Sequence, residues 1–96
     1  MNDKPKLPDR RRAVALHYAG QGAPRVTAKG QGLVADEILR LAHEHGIPLY
    51  EDAQLARLLA RIELNEEIPE KLYRAVAEVI AFAWRLHGKR PSLTVR

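Results

Sequence analysis

The sequence predicts an α/β domain: a small mixed β-sheet of about three strands, formed by a β-hairpin and one βαβ unit, packed with about three helices. Two observations predict this class. The stretch Arg25–Tyr50 begins with alternating polarity, breaks at glycines, continues with helical periodicity and ends in a short extended segment. Two later segments repeat apolar residues at helical spacing. With 96 residues, the chain has the length of one domain with a modest core.

The predicted hairpin begins at Ala13–Tyr18, where Val14, Leu16 and Tyr18 alternate with smaller or more polar residues. The connection over 19–24 is glycine-rich and ends in a proline. Because so short a connection cannot hold a crossover helix, this strand should pair antiparallel with a second strand over 25–29.

The predicted βαβ unit combines that second strand with a helix over 31–45 and a strand at Leu49-Tyr50. Gly30 and Gly32 break the first strand, and Gly46 supplies a C-cap after the helix. The apolar stripe of this helix is Leu33, Val34, Ile38, Leu41, Ala42 and His45. A unit of this length predicts a right-handed crossover between two parallel strands.

Two more helices follow. Asp52 is a favourable N-cap for the second, whose buried stripe would include Leu55 and Leu59. Pro69 marks the first turn of the third helix, which should run to about Leu86. The predicted organisation is a flexible basic segment over 1–11, a folded domain over 12–87, and a flexible, patternless basic tail over 88–96.

The composition excludes several classes of protein. The chain has no cysteine, which excludes disulfides, thiolate metal sites and cysteine nucleophiles. No apolar run approaches a membrane span, and the first twelve residues lack the apolar region of a signal peptide, so a cytoplasmic location is expected. The net charge of +4 comes from the two ends, since residues 13–84 hold seven basic and ten acidic side chains. Basic ends are compatible with nucleic acid, anionic lipid or an acidic protein surface, but also with solvated termini.

The turn Gly30–Ala35 fits the dinucleotide fingerprint G-x-G-x-x-[G/A], and Glu51 follows about twenty residues on. The alternative is a tight strand-to-helix turn that needs two glycines. A single βαβ unit is too small for a dinucleotide cleft, and Glu51 stands beside the capping Asp52, so the structural interpretation is favoured. No cofactor is predicted. A nucleotide- or nucleic-acid-binding protein that uses this turn or the basic tails stays open as the alternative function.

Neither a metal site nor a catalytic set is predicted. His43 and His45 are two residues apart on a helix and therefore point in different directions. Ser92 is the only serine and lies in the expected tail. The sequence gives no reason to expect an enzyme.

Residues 13 to 86 resemble the C-terminal cytoplasmic domain of FlhB and its relatives YscU and SpaS, proteins of the bacterial flagellar and type III secretion export apparatus. The segments that carry the resemblance are Ala13–Tyr18, Ala23–Gly30, His45–Glu51, Leu55–Leu59, Glu67–Glu70, Leu72-Tyr73 and Ala75–Val79. The resemblance implies a non-enzymatic interaction module in the cytoplasm, peripheral at the inner-membrane export apparatus. The implied partners are the export-gate protein, export substrates or chaperones, and the N-terminal part of a full-length FlhB.

The chain departs from the family pattern just before the first strand. The family carries Asn-Pro-Thr-His there, and its asparagine cyclises to cut the chain, whereas this sequence has Pro8-Asp9-Arg10-Arg11. No self-cleavage is therefore expected. In the family a strand precedes that motif, but Pro5 and Pro8 disfavour one here, so the first strand should present an open edge. The candidate partner-binding residues are this edge and the glycine turn: Arg10, Arg11, Arg12, Val14, Lys29, Gly30 and Gln31.

Overall fold

The computed structural model describes residues 11–96, and over this range the fold is a mixed four-stranded sheet with three α-helices. The predicted α/β class is confirmed, with one strand more than predicted. In chain order the elements are β1 (Arg12–His17), β2 (Arg25–Gln31), α1 (Leu33–Glu44), β3 (Leu49–Tyr50), α2 (Ala53–Leu59), a 3-10 turn (Glu70–Leu72), α3 (Tyr73–His87) and β4 (Ser92–Val95). No helix in the described part of the chain is long and apolar enough to cross a bilayer.

The sheet has the order β2-β1-β4-β3. β1 is antiparallel to both β2 and β4, and β3 is parallel to β4. The predicted hairpin of β1 and β2 is confirmed, with a bulge after Ala15. The predicted crossover is corrected in one respect: β2 and β3 run in the same direction but lie at opposite edges. A strand–helix–strand pattern predicts direction, whereas adjacency depends on which other strands enter between the two.

The expectation of a flexible tail over 88–96 is wrong for its second half. Ser92–Val95 form β4, an inner strand whose residues Leu93, Thr94 and Val95 are buried. Because helices cover both faces of the sheet here, consecutive residues are buried and polarity does not alternate. Four residues without alternation are too few to predict a strand.

The expected open edge on β1 is also wrong. Val14 lies opposite Lys29 of β2 on one side and Val95 of β4 on the other, and it is fully buried. β1 is therefore an inner strand, and the edges of the sheet are β2 and β3.

The two faces of the sheet differ in side-chain size. Val14, Leu16, Leu93 and Val95 belong to the main core, which α2 and α3 complete. Buried Ala13 and Thr94 occupy the alternate positions of the same strands, where α1 contacts β1 and β2. The small side chains on this second face let the helix approach closely.

This close approach explains why the predicted stripe of α1 is partly wrong. The helix buries Ala35 and Ala42, while Leu33, Val34 and Leu41 stay exposed. Against a face of small residues, alanines make the contact and the larger apolar side chains remain outside it.

The predicted helix starts have different outcomes. Asp52 caps α2 as predicted, since its Oδ1 accepts a hydrogen bond from the Leu55 N–H at 3.0 Å. Pro69 does not open an α-helix. It precedes the 3-10 turn, where the Leu72 N–H bonds to the Pro69 carbonyl at 2.9 Å, and α3 begins only at Tyr73.

Candidate functional site

The predicted basic residues lie where β1 begins and β2 ends. Arg10 is outside the described residues. Arg11 is exposed and forms an ion pair with Asp36 of α1. Arg12 is half-buried, and its Nη2 donates a hydrogen bond to Oε1 of Gln31 at 3.2 Å. The structure thus brings Arg11, Arg12 and Gln31 together at one corner of the domain.

That corner borders an open depression of about 950 Å³, here called the charged depression. Its lining is Arg11, Arg12, Asp36, Leu39, Glu51, Asp52, Ala53, Ala56, Arg57 and Arg96. The two signs of charge are interleaved, and several charges pair within the domain: Arg11 with Asp36, and Arg96 with Glu51 at 2.6 Å. A surface of this kind lacks the single-signed basic face that phosphate backbones require.

Three other predicted site residues have structural roles. Val14 is enclosed by the sheet and the core. Lys29 Nζ donates hydrogen bonds to the carbonyls of Ala60 and Ile62, at 3.0 and 2.7 Å, where α2 ends. A Cβ on Gly30 would lie 2.1 Å from Cγ1 of Val34, so only glycine fits there.

The geometry of the glycine turn supports the structural interpretation over a cofactor cradle. Gly32 has φ 62°, which glycine adopts without strain, and its N–H already bonds to the Arg11 carbonyl at 3.0 Å. Asp36 places a carboxylate in the first turn of α1, and Leu33 is 80% exposed there. A phosphate would meet a committed N–H, a negative charge and apolar side chains at this helix start.

The histidines and carboxylates of the described residues do not come together in a metal site. Within residues 11–96, no group of three or more His, Cys, Asp or Glu side chains is placed to hold a metal ion. His43 and His45 lie exposed at the end of α1. On the outer face of the same helix, the hydrogen bond and charge of Arg40 lower the pKa of Glu37, which is a feature of an exposed ion pair.

A second surface, which the sequence did not single out, is an apolar groove of about 350 Å³ between the β1–β2 connection and α3. It is called the apolar groove below. Its lining is Tyr18, Gly22, Ala23, Pro24, Tyr73, Val76, Ala77, Ile80, Ala81 and Trp84. None of these lining residues is charged, so the groove suits uncharged, apolar ligand groups.

The loop wall of the groove is held by hydrogen bonds to the segment before α3. The Ile68 N–H bonds to the Pro24 carbonyl at 2.9 Å, and the Val26 N–H bonds to the Glu66 carbonyl at 3.2 Å. The exposed ion pair of Arg25 and Glu67 lies beside these bonds. The loop is therefore fixed relative to α3 without any ligand.

The helix wall combines buried and accessible residues. Val76 and Ile80 reach the core, while Ala77 and Ala81, one helical turn apart, are exposed and leave room above the helix. At one end, Tyr18 stacks on Trp84 with ring centroids 5.8 Å apart. The arrangement offers shape and apolar surface for binding, and its lining holds no acid, base or nucleophile apart from two tyrosine hydroxyls.

The sequence contained partial signals for this groove. In the sequence, the aromatic residues of α3 make its apolar surface wider than a narrow stripe. Ala23-Pro24 belongs to one of the segments that carry the family resemblance. About fifty residues separate the two walls in sequence, so their meeting depends on the tertiary fold.

Comparison with known proteins identifies the family. The sequence pattern of the FlhB, HrpN, YscU and SpaS family matches residues 10–83. The uncharacterized protein YlqH of Bacillus subtilis is 46% identical over 78 residues, covering 79% of this chain and 84% of YlqH. The flagellar biosynthetic protein FlhB of Salmonella typhimurium is 44% identical over 88 residues, but the match spans only 23% of that longer protein.

Solved structures agree with this assignment. The C-terminal domain of PscU superposes with a TM-score of 0.70 at 33% identity, covering 75% of this chain and 95% of that one. A variant of the EscU C-terminal domain gives a TM-score of 0.73 at 34% identity, covering 79% and 94%. The chain therefore belongs to the FlhB, HrpN, YscU and SpaS family of bacterial export proteins, and it corresponds to the C-terminal domain of the longer members.

Proposed function

We propose that this protein is a non-enzymatic docking module of a bacterial type III export apparatus, flagellar or virulence-related, and that it binds an extended apolar segment of an export substrate or chaperone in the apolar groove. The observation that carries the proposal is the groove itself, an uncharged and preformed concavity on a domain of an export-protein family. Its volume of about 350 Å³ is in the range of protein ligand sites.

The groove favours an extended segment because it runs between a loop and a helix and is open to solvent. Tyr73 is 44% exposed in the free domain, so a ligand can still cover apolar surface there. Burial of such surface is favourable by roughly 25 cal/mol per Å² of apolar area. The hydrogen bonds that hold Pro24 in place lower the entropy cost of binding, because the loop is ordered beforehand.

The proposed partners follow the family. Export substrates and chaperones would occupy the groove, and the export-gate protein or the N-terminal part of a full-length FlhB would contact other surfaces. Binding to those partners would place the domain in the cytoplasm at the inner membrane. The edge of β1 does not serve these partners in the free domain, since β4 covers it.

Substitution of Ala77 by Glu tests the groove directly. Ala77 lines the groove and is exposed, so the charge should block an apolar ligand while the fold persists. Ala75→Glu is the matched control, because Ala75 is an exposed α3 residue outside the lining. The probe is a set of labelled peptides that tile the flagellar or secretion substrates of the host, with binding followed by fluorescence anisotropy.

We expect at least one peptide to bind the wild type and Ala75→Glu about equally, and Ala77→Glu at least about tenfold more weakly, a loss of about 1.4 kcal/mol. The peptide should also shift the amide NMR signals of residues around the groove. Equal binding to both variants would show that the groove is not the docking site.

The absence of self-cleavage stays a separate prediction. It rests on Pro8-Asp9-Arg10-Arg11 in place of the cyclising motif, and of these residues the structure describes only Arg11. The intact mass should stay unchanged over days at neutral pH. Release of a peptide by a cut at one defined bond between residues 7 and 12 would contradict it.

A further inference from the structure

The fourth strand has an unusual relation to the rest of the family domain. β4 lies between β1 and β3 in the sheet. These two strands do not pair with each other, so β4 alone connects them. The family match covers residues 10–83, so β1 and β3 lie inside the matched part and β4 lies outside it. The matched part thus forms the two sides of a slot, here called the strand slot, and a segment from outside that part fills it.

Backbone hydrogen bonds line both sides of the strand slot. On the β1 side, the Tyr18 N–H bonds to the Pro91 carbonyl at 2.7 Å, and the strands continue in antiparallel register to Val14 opposite Val95. On the β3 side, the Thr94 N–H bonds to the Pro48 carbonyl at 3.0 Å. An empty slot would leave two rows of backbone groups without partners, which strongly favours an inserted strand.

The side chains of β4 show what the slot accepts. Leu93 and Val95 enter the main core, and Thr94, at the alternate position, is 1% exposed. Next to them, Arg96 pairs with Glu51 at 2.6 Å. The preferred occupant is therefore an extended segment with the pattern apolar, small or β-branched, apolar, basic.

The connection to β4 is exposed but is tied to the rest of the domain. Residues 88–91 join α3 to the strand and all four are exposed. Gly88 has φ 78°, and Arg90 ties the connection to the domain: its Nη1 donates to the Gly46 carbonyl at 3.1 Å, and its carbonyl accepts from Trp84 Nε1 at 3.0 Å. The Lys89 Nζ also lies 5.6 Å from the centroid of the Trp84 ring. Release of β4 would break its ladder and take Leu93 and Val95 out of the core, so an incoming segment must supply the same strand hydrogen bonds and apolar side chains.

From these observations we infer that the strand slot is a strand-acceptor site for an extended segment of a partner protein with the pattern of β4, and that β4 occupies the site in cis until such a segment displaces it. Glu51 lies at the end of the slot, where it can pair with a basic residue of the incoming strand as it does with Arg96. Main-chain pairing supplies affinity and the alternating pockets supply specificity, as in other strand-addition complexes. This site is separate from the apolar groove, so either proposal can fail alone.

The test uses the full chain and a labelled peptide that copies residues 88–96. Thr94→Pro in the chain removes the N–H that bonds to Pro48 and should weaken β4 in cis. Thr94→Val is the matched control, since it keeps the N–H and the branched shape. A second peptide carrying the Thr94→Pro change tests whether the peptide binds as a strand.

We expect the Thr94→Pro chain to bind the wild-type peptide at least about tenfold more tightly than the wild-type or Thr94→Val chain. In the latter two chains β4 fills the strand slot, and this lowers their apparent affinity for the peptide. The proline peptide should not bind. If the Thr94→Pro chain does not fold alone, the wild-type peptide should restore cooperative thermal unfolding.

Three results would overturn the inference. One is a Thr94→Pro chain that neither binds the peptide more tightly nor is restored by it. Another is equal binding of the two peptides. The third is a wild-type chain that dimerises with rising concentration in sedimentation by exchanging β4, which would make a second copy of this chain the occupant.

Discussion

The apolar groove and the charged depression differ in how their side chains are used within the free domain. In the charged depression, Arg96 bonds to Glu51 and Arg11 to Asp36, so these groups already have partners. In the apolar groove, Ala77 and Ala81 expose apolar surface that nothing in the described structure covers.

This difference shows that basic residue type alone does not indicate which surface is left uncovered in the free domain. The basic residues Arg11 and Arg12 led to the prediction of a binding corner. Exposed ion pairs typically contribute only 0–1 kcal/mol to stability, and water can replace them at little cost. Uncovered apolar surface beside a fixed loop is the more informative feature.

Trp84→Ala should have the largest effect on the free energy of unfolding. Trp84 forms one end of the apolar groove and contacts both Tyr18 and the connection before β4. The change removes the stack on Tyr18 and the bond from Nε1 to the Arg90 carbonyl. We expect a loss of about 3 kcal/mol in the free energy of unfolding, at the low end for truncation of an aromatic residue, since Trp84 is half-buried. Urea denaturation measures it. Trp84→Phe keeps a stacked ring and should lose only about 1 kcal/mol; equal losses would mean that the stack contributes nothing.

Lys29→Met should have the next largest effect on the free energy of unfolding. The change tests whether Lys29 stabilises the fold. The ammonium of Lys29 bonds to the carbonyls of Ala60 and Ile62 in a partly buried position. Loss of these charge-assisted bonds should lower the free energy of unfolding by about 2 kcal/mol. Gln31→Met, an exposed change on the same strand, should stay within about 0.5 kcal/mol. If Lys29→Met unfolds at the same urea concentration as the wild type, the lysine is not structural.

The ion pair of Arg96 and Glu51 should contribute less. Its side chains are 42% and 71% exposed, so solvent screens their attraction. A double-mutant cycle with Arg96→Ala and Glu51→Ala should give a coupling of about 0.5 kcal/mol that shrinks as salt is added. A coupling above about 2 kcal/mol would mean that the charged depression behaves as a buried network.

The smallest effect concerns Glu37 on the outer face of α1. The hydrogen bond from Arg40 lowers the pKa of this carboxyl, so its contribution to stability is present near neutral pH and is lost as the pH falls through the lowered pKa. NMR titration should find the Glu37 pKa below its ordinary value in the wild type and close to that value in Arg40→Gln. An identical titration in both proteins would remove Arg40 as the cause.

The elements predicted correctly are those with local causes. The Asp52 cap acts on the N–H three residues later, and the short connection after Tyr18 allows only an antiparallel hairpin. Gly32, with φ 62°, was correctly assigned to the turn. Gly30 was expected there too but still belongs to β2, and the contact with Val34 that requires a glycine is visible only in the structure. These features depend on a few neighbouring residues, so a single sequence shows them.

The predictions that were wrong depended on distant segments. Val14 was expected at an open edge because Pro5 and Pro8 disfavour a strand on the side of it that β2 does not cover. Its second partner is Val95, about eighty residues later. The stripe of α1 was wrong because the helix packs on a face with small side chains such as Ala13 of β1, where alanines make the contact.

By itself, the sequence determined the α/β class, the hairpin, the order of the three helices and the family, because these follow from local periodicity, caps, turns and motif residues. Only the tertiary structure decided the order of the strands, the place of Ser92–Val95 in the middle of the sheet, and the groove between Pro24 and α3. The physical reason is that burial and hydrogen-bond pairing in a sheet are satisfied between strands that are remote in sequence, so the environment of each strand is set by the assembled fold.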